Sequence, residues 1–140
     1  MSILVVDDDD DVRESVREIL EGEGHPTMGA ANGDEARAVL QGARTWPAMI
    51  LLDLMMPVMD GWEFMLWLAD EPEMREIPVV IMSAHPSIQR AAAVSRPRVG
   101  IPHLLLHGGV RPLLPKPISF LRLLELAKNP VAHAPTRART

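Results

Sequence analysis

One stretch of the chain decides how the rest is interpreted: Leu51-Leu52-Asp53-Leu54-Met55-Met56-Pro57-Val58-Met59-Asp60-Gly61. The apolar run that leads into it, Ala48 to Leu52, is short and apolar on both faces, as a strand buried inside a parallel sheet should be. Asp53 therefore stands at the carboxyl end of a buried strand. Ligands of open α/β sheets bind at that edge, so chemistry explains an acid there better than packing does.

Two other apolar runs also end in polar residues. Ile3 to Val6 is followed by Asp7 and Asp8, and Pro78 to Met82 is followed by Ser83. Because the carboxyl ends of parallel strands meet at one edge, three acids and a hydroxyl are predicted to come together there. Carboxylates packed side by side repel one another unless a cation is present. A hard ion that prefers oxygen ligands, such as Mg²⁺, suits such a site.

Five consecutive acids, Asp7 to Asp11, follow the first strand. The second half of this run is predicted to be structural. Asp10 or Asp11 would cap the next helix, because acids favour a helix's amino end and Asp11-Val12-Arg13-Glu14 fits a capping box. Asp7 and Asp8 end the strand directly and are predicted to be functional.

Hydrophobic periodicity predicts five units, each a strand followed by a helix. Strands are expected at about 3–6, 27–31, 48–52, 78–82 and 110–114. Pro26 precedes the second strand and Pro112 lies inside the fifth, so both strands are placed at sheet edges, where proline is tolerated. Predicted helix caps are Asn32, reciprocal with Glu35, and Ser119. The helix residues expected to face the core are Trp62, Met65, Leu68, Phe120, Leu123, Leu124 and Ala127.

The region from 86 to 107 departs from this pattern. Pro97, Gly100 and Pro102 interrupt what would otherwise be one fourth helix. We expect a short helix at about 87–94, an irregular insert, and an apolar turn from His103 to His107. These two histidines are four positions apart and could bind a metal from one helix face, but no third ligand accompanies them. Polar residues flanking a leucine triplet are the simpler interpretation.

Composition narrows the function classes. A chain of 140 residues suits one domain, expected here at 1–128, with a disordered tail at 129–140. The net charge of −5 argues against general nucleic-acid binding. No apolar run is long enough to span a membrane. The absence of cysteine and of a signal-peptide pattern at the start predicts a cytoplasmic protein, monomeric or weakly dimeric.

The chain resembles the receiver domain of bacterial two-component response regulators. The motifs that carry the resemblance are Val5-Val6-Asp7-Asp8, Asp53 with Met56-Pro57 and Asp60-Gly61, Ser83-Ala84, and Leu114-Pro115-Lys116-Pro117. Asp8 and Asp53 are 45 positions apart, which leaves room for a helix, a strand and another helix. The resemblance runs from about Ser2 to about Lys128. It implies a doubly wound, CheY-like (flavodoxin-like) α/β fold with five parallel strands in the order 2-1-3-4-5.

The resemblance also implies a phosphoacceptor site. Asp53 would receive a phosphoryl group as an acyl phosphate. Asp8 and Asp53 would bind Mg²⁺ directly, Asp7 directly or through water, and the backbone carbonyl of Met55 would complete the protein ligands. Lys116 would contact one phosphoryl oxygen and Ser83 would donate a hydrogen bond to another. The phosphodonor would be a sensor histidine kinase or a phosphotransfer protein.

No output domain is visible, so the chain is expected to stand alone and to signal through an unknown downstream protein. It would not be an enzyme, beyond supporting its own phosphotransfer and dephosphorylation. One alternative is a receiver that works as a docking or adaptor module. Another is an aspartate-nucleophile phosphohydrolase, but that family carries an acid two residues after its nucleophile, where this chain has Met55. A nucleotide-binding module would need a glycine-rich turn where this chain has acids.

The signalling switch is where the sequence departs from its family. Receivers carry an aromatic residue three positions before the lysine, and this chain has Leu113 there. The aromatic half of the switch is therefore missing, while the hydroxyl of Ser83 remains. We expect activation to be expressed mainly by the segment 86–107 becoming ordered or repositioned.

Overall fold

Strands and helices alternate along most of the chain. The computed structural model describes residues 2–94, 103–106 and 109–130. The strands are β1 (Ile3–Val6), β2 (Thr27–Ala30), β3 (Met49–Asp53), β4 (Val79–Ser83), β5 (His103–Leu106) and β6 (Gly109–Pro115). The helices are α1 (Asp10–Gly22), α2 (Gly33–Gly42), α3 (Gly61–Ala69), α4 (Pro86–Val94) and α5 (Phe120–Lys128). A single 3-10 turn, Met74–Glu76, precedes β4.

The described strands form one sheet in the order β2-β1-β3-β4-β6-β5. Strands β1 to β4 and β6 run parallel, whereas β5 is antiparallel to β6. The register places Leu52 beside both Val6 and Ile81, and Ile81 beside Leu113. The carboxyl ends of β1, β3, β4 and β6 therefore reach the same edge of the sheet.

Both faces of the sheet are covered by helices. The strand residues that face α2, α3 and α4 are Leu4, Val6, Ile50, Leu52, Ile81 and Leu113. Those that face α1 and α5 are Ile3, Val5, Met49, Leu51, Val80, Met82 and Leu114. None of these side chains is more than 1% exposed. Burial on both faces explains why the strand sequences are apolar throughout, and the predicted doubly wound parallel sheet is confirmed.

The five predicted parallel strands are present in the predicted order, but the sheet has a sixth strand that sequence analysis missed, an antiparallel one that precedes the last parallel strand. The predicted apolar turn at His103 is the strand β5, which pairs with β6 from Pro112 to Gly109. Leu104 and Leu106 are 5% and 7% exposed, and both join the core face that contains Ile88 of α4. A strand period of two places these two leucines on one side of β5.

The placement of Pro112 at a sheet edge is also wrong. The strand that contains it, β6, lies between β4 and β5. Pro112 is opposite His103 at one end of the β5–β6 ladder, and pairing with β4 involves Leu113, Leu114 and Pro115. Residues 109–112 of β6 pair with β5, and residues 113–115 pair with β4. Pro112, which has no N–H to donate, is therefore outside the ladder with β4.

Parts of the predicted irregular region cannot be compared with the structure. Helix α4 is short and ends at Val94, as predicted. Residues 95–102 of the insert, with His107 and residue 108, lie outside the described residues, as do 131–140 of the predicted tail. His103 lies on a strand, so the proposed helix face shared with His107 is wrong for His103.

The helix caps refine the predictions from sequence. Asp9 caps α1, and not Asp10 or Asp11, because the helix begins at Asp10. The Asp9 carboxylate accepts from the N–H groups of Asp11 and Val12 at 3.0 and 3.2 Å. At the start of α2, Asn32 Oδ1 accepts from Glu35 N as predicted, but Glu35 Oε1 accepts from Ala31 N rather than from Asn32 N. Asp60 and Glu63 form a capping box at the start of α3. Ser119 caps α5, with its Oγ accepting from Arg122 N.

Two aromatic residues predicted to face the core lie on the surface. Trp62 is 41% exposed and Phe120 is 52% exposed, whereas Phe64, Met65 and Leu68 are buried in α3. Trp62 lies off the buried stripe of α3, which already includes Gly61, and Phe120 is the first residue of α5. None of the described helices combines the length and hydrophobicity needed to cross a membrane.

Candidate functional site

Four strand ends deliver the predicted polar residues to one edge of the sheet. Asp7 directly follows β1, Asp53 is the last residue of β3, Ser83 is the last residue of β4, and Lys116 directly follows β6. Asp7, Asp53 and Ser83 are 0%, 5% and 1% exposed. Most buried polar groups in proteins have polar or charged partners, so the contacts among these residues define the site.

Lys116 bridges the two buried acids. Its Nζ lies 2.7 Å from Asp7 Oδ2 and 3.4 Å from Asp53 Oδ2. The other oxygen of each acid accepts from a backbone N–H: Asp9 N donates to Asp7 Oδ1 at 2.9 Å, and Met55 N donates to Asp53 Oδ1 at 3.1 Å. One cation therefore faces two carboxylates in a nearly closed environment.

The ionisation of Asp53 is perturbed by this environment. Burial raises the pKa of Asp53 to about 6, and the charge of Asp7 adds to the increase, although the Met55 N–H and Lys116 oppose it. Burial alone would lower the pKa of Lys116. The hydrogen bond to Asp7 and the negative charges of Asp53 and Asp7 outweigh burial, so that pKa is raised and Lys116 stays protonated.

Asp8 completes an acidic cluster. Oxygen atoms of Asp7, Asp8 and Asp53 all lie within 4.8 Å of one another, and Asp8 is the exposed member. Acids are often clustered on protein surfaces, but two of these three are buried. A set of carboxylate oxygens with one side open to solvent fits Mg²⁺, which favours oxygen ligands and keeps several waters.

Ser83 is held at both of its oxygen atoms. Its Oγ accepts from His85 N at 3.0 Å. Its carbonyl accepts from Lys116 N at 2.9 Å and from the Gln89 side-chain amide at 3.0 Å. A cavity of about 370 Å³ beside these residues is lined by Asp53, Met55, Ser83, Ala84, His85, Pro86 and Lys116. The hydroxyl and the acid therefore line the same cavity.

The loop between β3 and α3 is fixed by close backbone contacts. A Cβ atom at Gly61 would lie 2.4 Å from the Asp53 carbonyl oxygen, so glycine is required there. Gly33 of α2 donates from its N–H to the Met59 carbonyl at 2.7 Å. Val58, which directly precedes Met59 in this loop, has a φ of 68° and is 81% exposed. A β-branched residue rarely adopts that conformation, so the surrounding contacts impose it.

The structure brings together every residue predicted for the site, and it adds three that sequence analysis missed. The Arg13 guanidinium donates to the Asp7 carbonyl at 2.8 Å. His85 and Gln89 bond to Ser83. Arg13 belongs to a charged helix surface in sequence, and His85 and Gln89 flank an ordinary helix start. None of the three carries a pattern that points to the site.

Comparisons with known proteins agree with this geometry. Residues 3–128 match the family model described as the response regulator receiver domain. The chain belongs to this family. The polar-differentiation response regulator DivK of Brucella anthropi is 30% identical over 128 residues, which cover 91% of this chain and 94% of that protein.

Solved receiver structures share the fold. The chemotaxis response regulator CheY4 of Vibrio cholerae has a TM-score of 0.69 and 27% identity, and the match covers 91% of this chain and 96% of that one. The receiver domain of NtrX from Brucella abortus has a TM-score of 0.72 and 28% identity, with coverage of 94% and 98%. As a receiver domain, the chain is a phosphoacceptor of two-component signalling.

Proposed function

We propose that Asp53 is the residue that accepts the phosphoryl group, from a phosphohistidine on a sensor histidine kinase or a phosphotransfer protein. The observation that supports this most strongly is the position of Asp53, at the end of β3 between the Asp7–Asp8 pair and Lys116. Phosphoryl transfer asks a protein for a positioned nucleophile and for positive charge near the transferred oxygens. The edge of this sheet supplies both.

In the reaction, a carboxylate oxygen of Asp53 attacks phosphorus and forms the acyl phosphate bond. The P–N bond of the phosphohistidine breaks, and the imidazole leaves with that electron pair and gains a proton. The attack needs the ionised acid. With a pKa of about 6, Asp53 is largely ionised at pH 7. Its Oδ1 is held by Met55 N, which fixes the carboxylate plane.

The acidic cluster would hold Mg²⁺, with Asp8 and Asp53 as direct ligands, Asp7 direct or through water, and the Met55 backbone carbonyl as the fourth protein ligand. When bound, the ion neutralises the charge of the acids and of the phosphoryl oxygens.

Lys116 and Ser83 would bind the transferred group. The ammonium of Lys116, 3.4 Å from Asp53 Oδ2, acts as a point charge for one phosphoryl oxygen. Ser83 Oγ accepts a hydrogen bond from His85 N, so its own hydrogen remains available to donate to another phosphoryl oxygen. Water would later attack the acyl phosphate at phosphorus and return Asp53 and inorganic phosphate. The chain would thus support its own dephosphorylation and signal meanwhile through a protein partner.

Intact mass spectrometry after incubation with acetyl phosphate and Mg²⁺ tests the proposal. We expect one phosphoryl adduct on the wild-type chain. Asp53→Asn should form none, because the amide is nearly isosteric but cannot attack phosphorus. Asp8→Ala should lose Mg²⁺ binding and form little adduct, whereas Asp11→Ala, which removes an acid outside the cluster, should behave like wild type.

Two results would contradict the assignment. A persistent adduct in Asp53→Asn would place the phosphoacceptor elsewhere, and unchanged Mg²⁺ affinity in Asp8→Ala would remove the ligand role. Steady release of phosphate from a panel of phosphate esters would instead favour the phosphohydrolase alternative.

A further inference from the structure

Helix α4 is tied to Ser83 by a short set of hydrogen bonds. The first helical bond of α4 runs from Gln89 N to the His85 carbonyl at 3.1 Å. His85 Nδ1 accepts from Ser87 N at 3.2 Å, so the imidazole caps the helix start. His85 N in turn donates to Ser83 Oγ. The residue that begins the helix is therefore bonded to the hydroxyl at the phosphoacceptor cavity.

Gln89 adds a second connection between the same two elements. Its side-chain Nε2 donates to the Ser83 carbonyl at 3.0 Å. A carbonyl can only accept, so the amide must present its nitrogen to β4. The neighbouring Ile88 is buried against the sheet, which holds the first turn of α4 close to the end of β4. Ser83 is thus joined to α4 through its carbonyl and to His85, the residue just before α4, through its hydroxyl.

Leu113, which stands where receivers carry the aromatic residue of the switch, cannot take part in such a hydrogen-bond network. Leu113 is 1% exposed and pairs with Ile81 of β4. It has no polar atom on its side chain, so it can respond to Ser83 only through packing. The hydrogen bonds that join Ser83 to the start of α4 run through His85 and Gln89.

We propose that Gln89 is a positioning residue for the phosphoryl chemistry. Its amide fixes the end of β4 so that the Ser83 hydroxyl is presented to the cavity, and it transmits any displacement of Ser83 to the first turn of α4. This inference rests on the proposed function, because the position of Ser83 matters only if Asp53 becomes phosphorylated.

Three substitutions test the role of the amide. Gln89→Met keeps length and shape but removes the donor, and Gln89→Lys keeps a long side chain with a donor. Arg90→Met is the matched control, since Arg90 is the adjacent, exposed residue of the same helix. Gln, Met, Lys and Arg have similar helix propensities, so helix stability should change little.

Two measurements are made on each full-length variant with Mg²⁺. One is the affinity for beryllofluoride, a phosphoryl mimic, measured by titration calorimetry; the other is the change in hydrogen exchange of residues 86–94 when the mimic binds. Loss of one hydrogen bond should lower the affinity of Gln89→Met roughly threefold to tenfold. The exchange response of α4 should shrink in that variant. Gln89→Lys and Arg90→Met should resemble wild type in both measurements.

The outcomes separate this inference from the proposed function. If the wild-type chain binds the mimic and Gln89→Met matches it in affinity and in the exchange of α4, the amide does not position Ser83. If Arg90→Met changes as much as Gln89→Met, the effect belongs to the helix as a whole and the inference also fails. If the wild-type chain itself neither binds the mimic nor forms an adduct with acetyl phosphate, the proposed function is wrong.

Discussion

The carboxyl edge of the sheet and the α4–β5 region are built on different principles. At the edge, buried Asp7, Asp53 and Ser83 are held by hydrogen bonds and by the ammonium of Lys116. In the α4–β5 region, α4 and the added strand β5 contribute apolar residues to the core. The edge carries the residues that the resemblance to receiver domains predicts for it, whereas the region beside it carries a strand that the resemblance does not predict.

This difference shows that a strand can be added beside β6 while the register that brings the polar strand ends together is kept. The register of the parallel sheet sets the positions of those strand ends. The antiparallel strand β5 lies beside β6, on the side away from β4. The two regions meet at Ser83, which closes the site on one side and bonds to α4 on the other.

The largest expected effect tests whether β5 is part of the core or only attached to it. Leu104 is 5% exposed and lies in the core face with Ile88 and Leu113. Leu104→Ala should lower the free energy of unfolding by about 2–4 kcal/mol, as truncation of a buried leucine does. Denaturant unfolding measures the change.

The control for this prediction is an exposed leucine outside the core. Leu121 is 78% exposed on α5. Leu121→Ala should change stability by less than about 0.5 kcal/mol. If Leu104→Ala changes the free energy of unfolding as little as Leu121→Ala does, the strand β5 contributes nothing to the stability of the core. The description of the α4–β5 region as a part of the apolar core would then be wrong.

The two regions also differ in how far sequence predicts them. Asp7, Asp53 and Ser83 could be placed together because each follows or ends an apolar run that is typical of a buried strand. Lys116 was placed with them by the resemblance to receiver domains. The leucines of β5 gave no such signal, because a triplet of identical apolar residues shows neither a period of two nor a period of 3.6. Pro112 then pointed to an edge, since nothing in the sequence showed that another strand would lie beyond it.

Contacts set by three-dimensional position were the least predictable. Five consecutive aspartates are chemically alike. Sequence placed Asp7 and Asp8 in the acidic cluster but could not decide that Asp9, and not Asp10 or Asp11, caps α1. Gln89 is an ordinary helix residue until α4 packs against β4 and brings its amide to the Ser83 carbonyl. The exposure of Trp62 likewise depends on where α3 begins relative to the sheet.

The next effect is the loss in the free energy of unfolding when buried Asp53 ionises. The folded chain raises the pKa of Asp53 from 3.8 to about 6, mainly through burial. Between these values the folded state binds more protons than the unfolded state, so the contribution of Asp53 to stability is present below pH 4 and is lost as the pH rises to about 6. The loss should be on the order of 2 kcal/mol.

Unfolding measured in chelator from pH 4 to pH 7 checks this expectation against Asp53→Asn. The variant keeps the shape of the side chain but cannot ionise, so its stability relative to wild type should rise across the interval. Mg²⁺ should reduce the difference, because a cation favours the charged acid. A constant difference between the two proteins at all pH values would mean that Asp53 is not desolvated as its burial implies.

The smallest expected effect tests whether the loop at the phosphoacceptor edge is held rigidly enough to impose strain. Val58 adopts a φ of 68° while its side chain is 81% exposed, so burial offsets little of the conformational cost. Asparagine tolerates this conformation far better than a β-branched residue does. Val58→Asn should therefore raise the free energy of unfolding by about 1 kcal/mol.

Val58→Ala is the matched control for strain, because alanine removes the branched methyls but keeps the Cβ atom that disfavours positive φ. It should recover only part of the gain. Equal stabilisation by alanine and asparagine would assign the cost to the exposed methyls and not to the backbone. If neither variant is more stable than wild type, the loop relaxes around Val58, and the anchors at Gly33 and Gly61 do not fix it. Rigidity at the edge would then be a property of the strand ends alone.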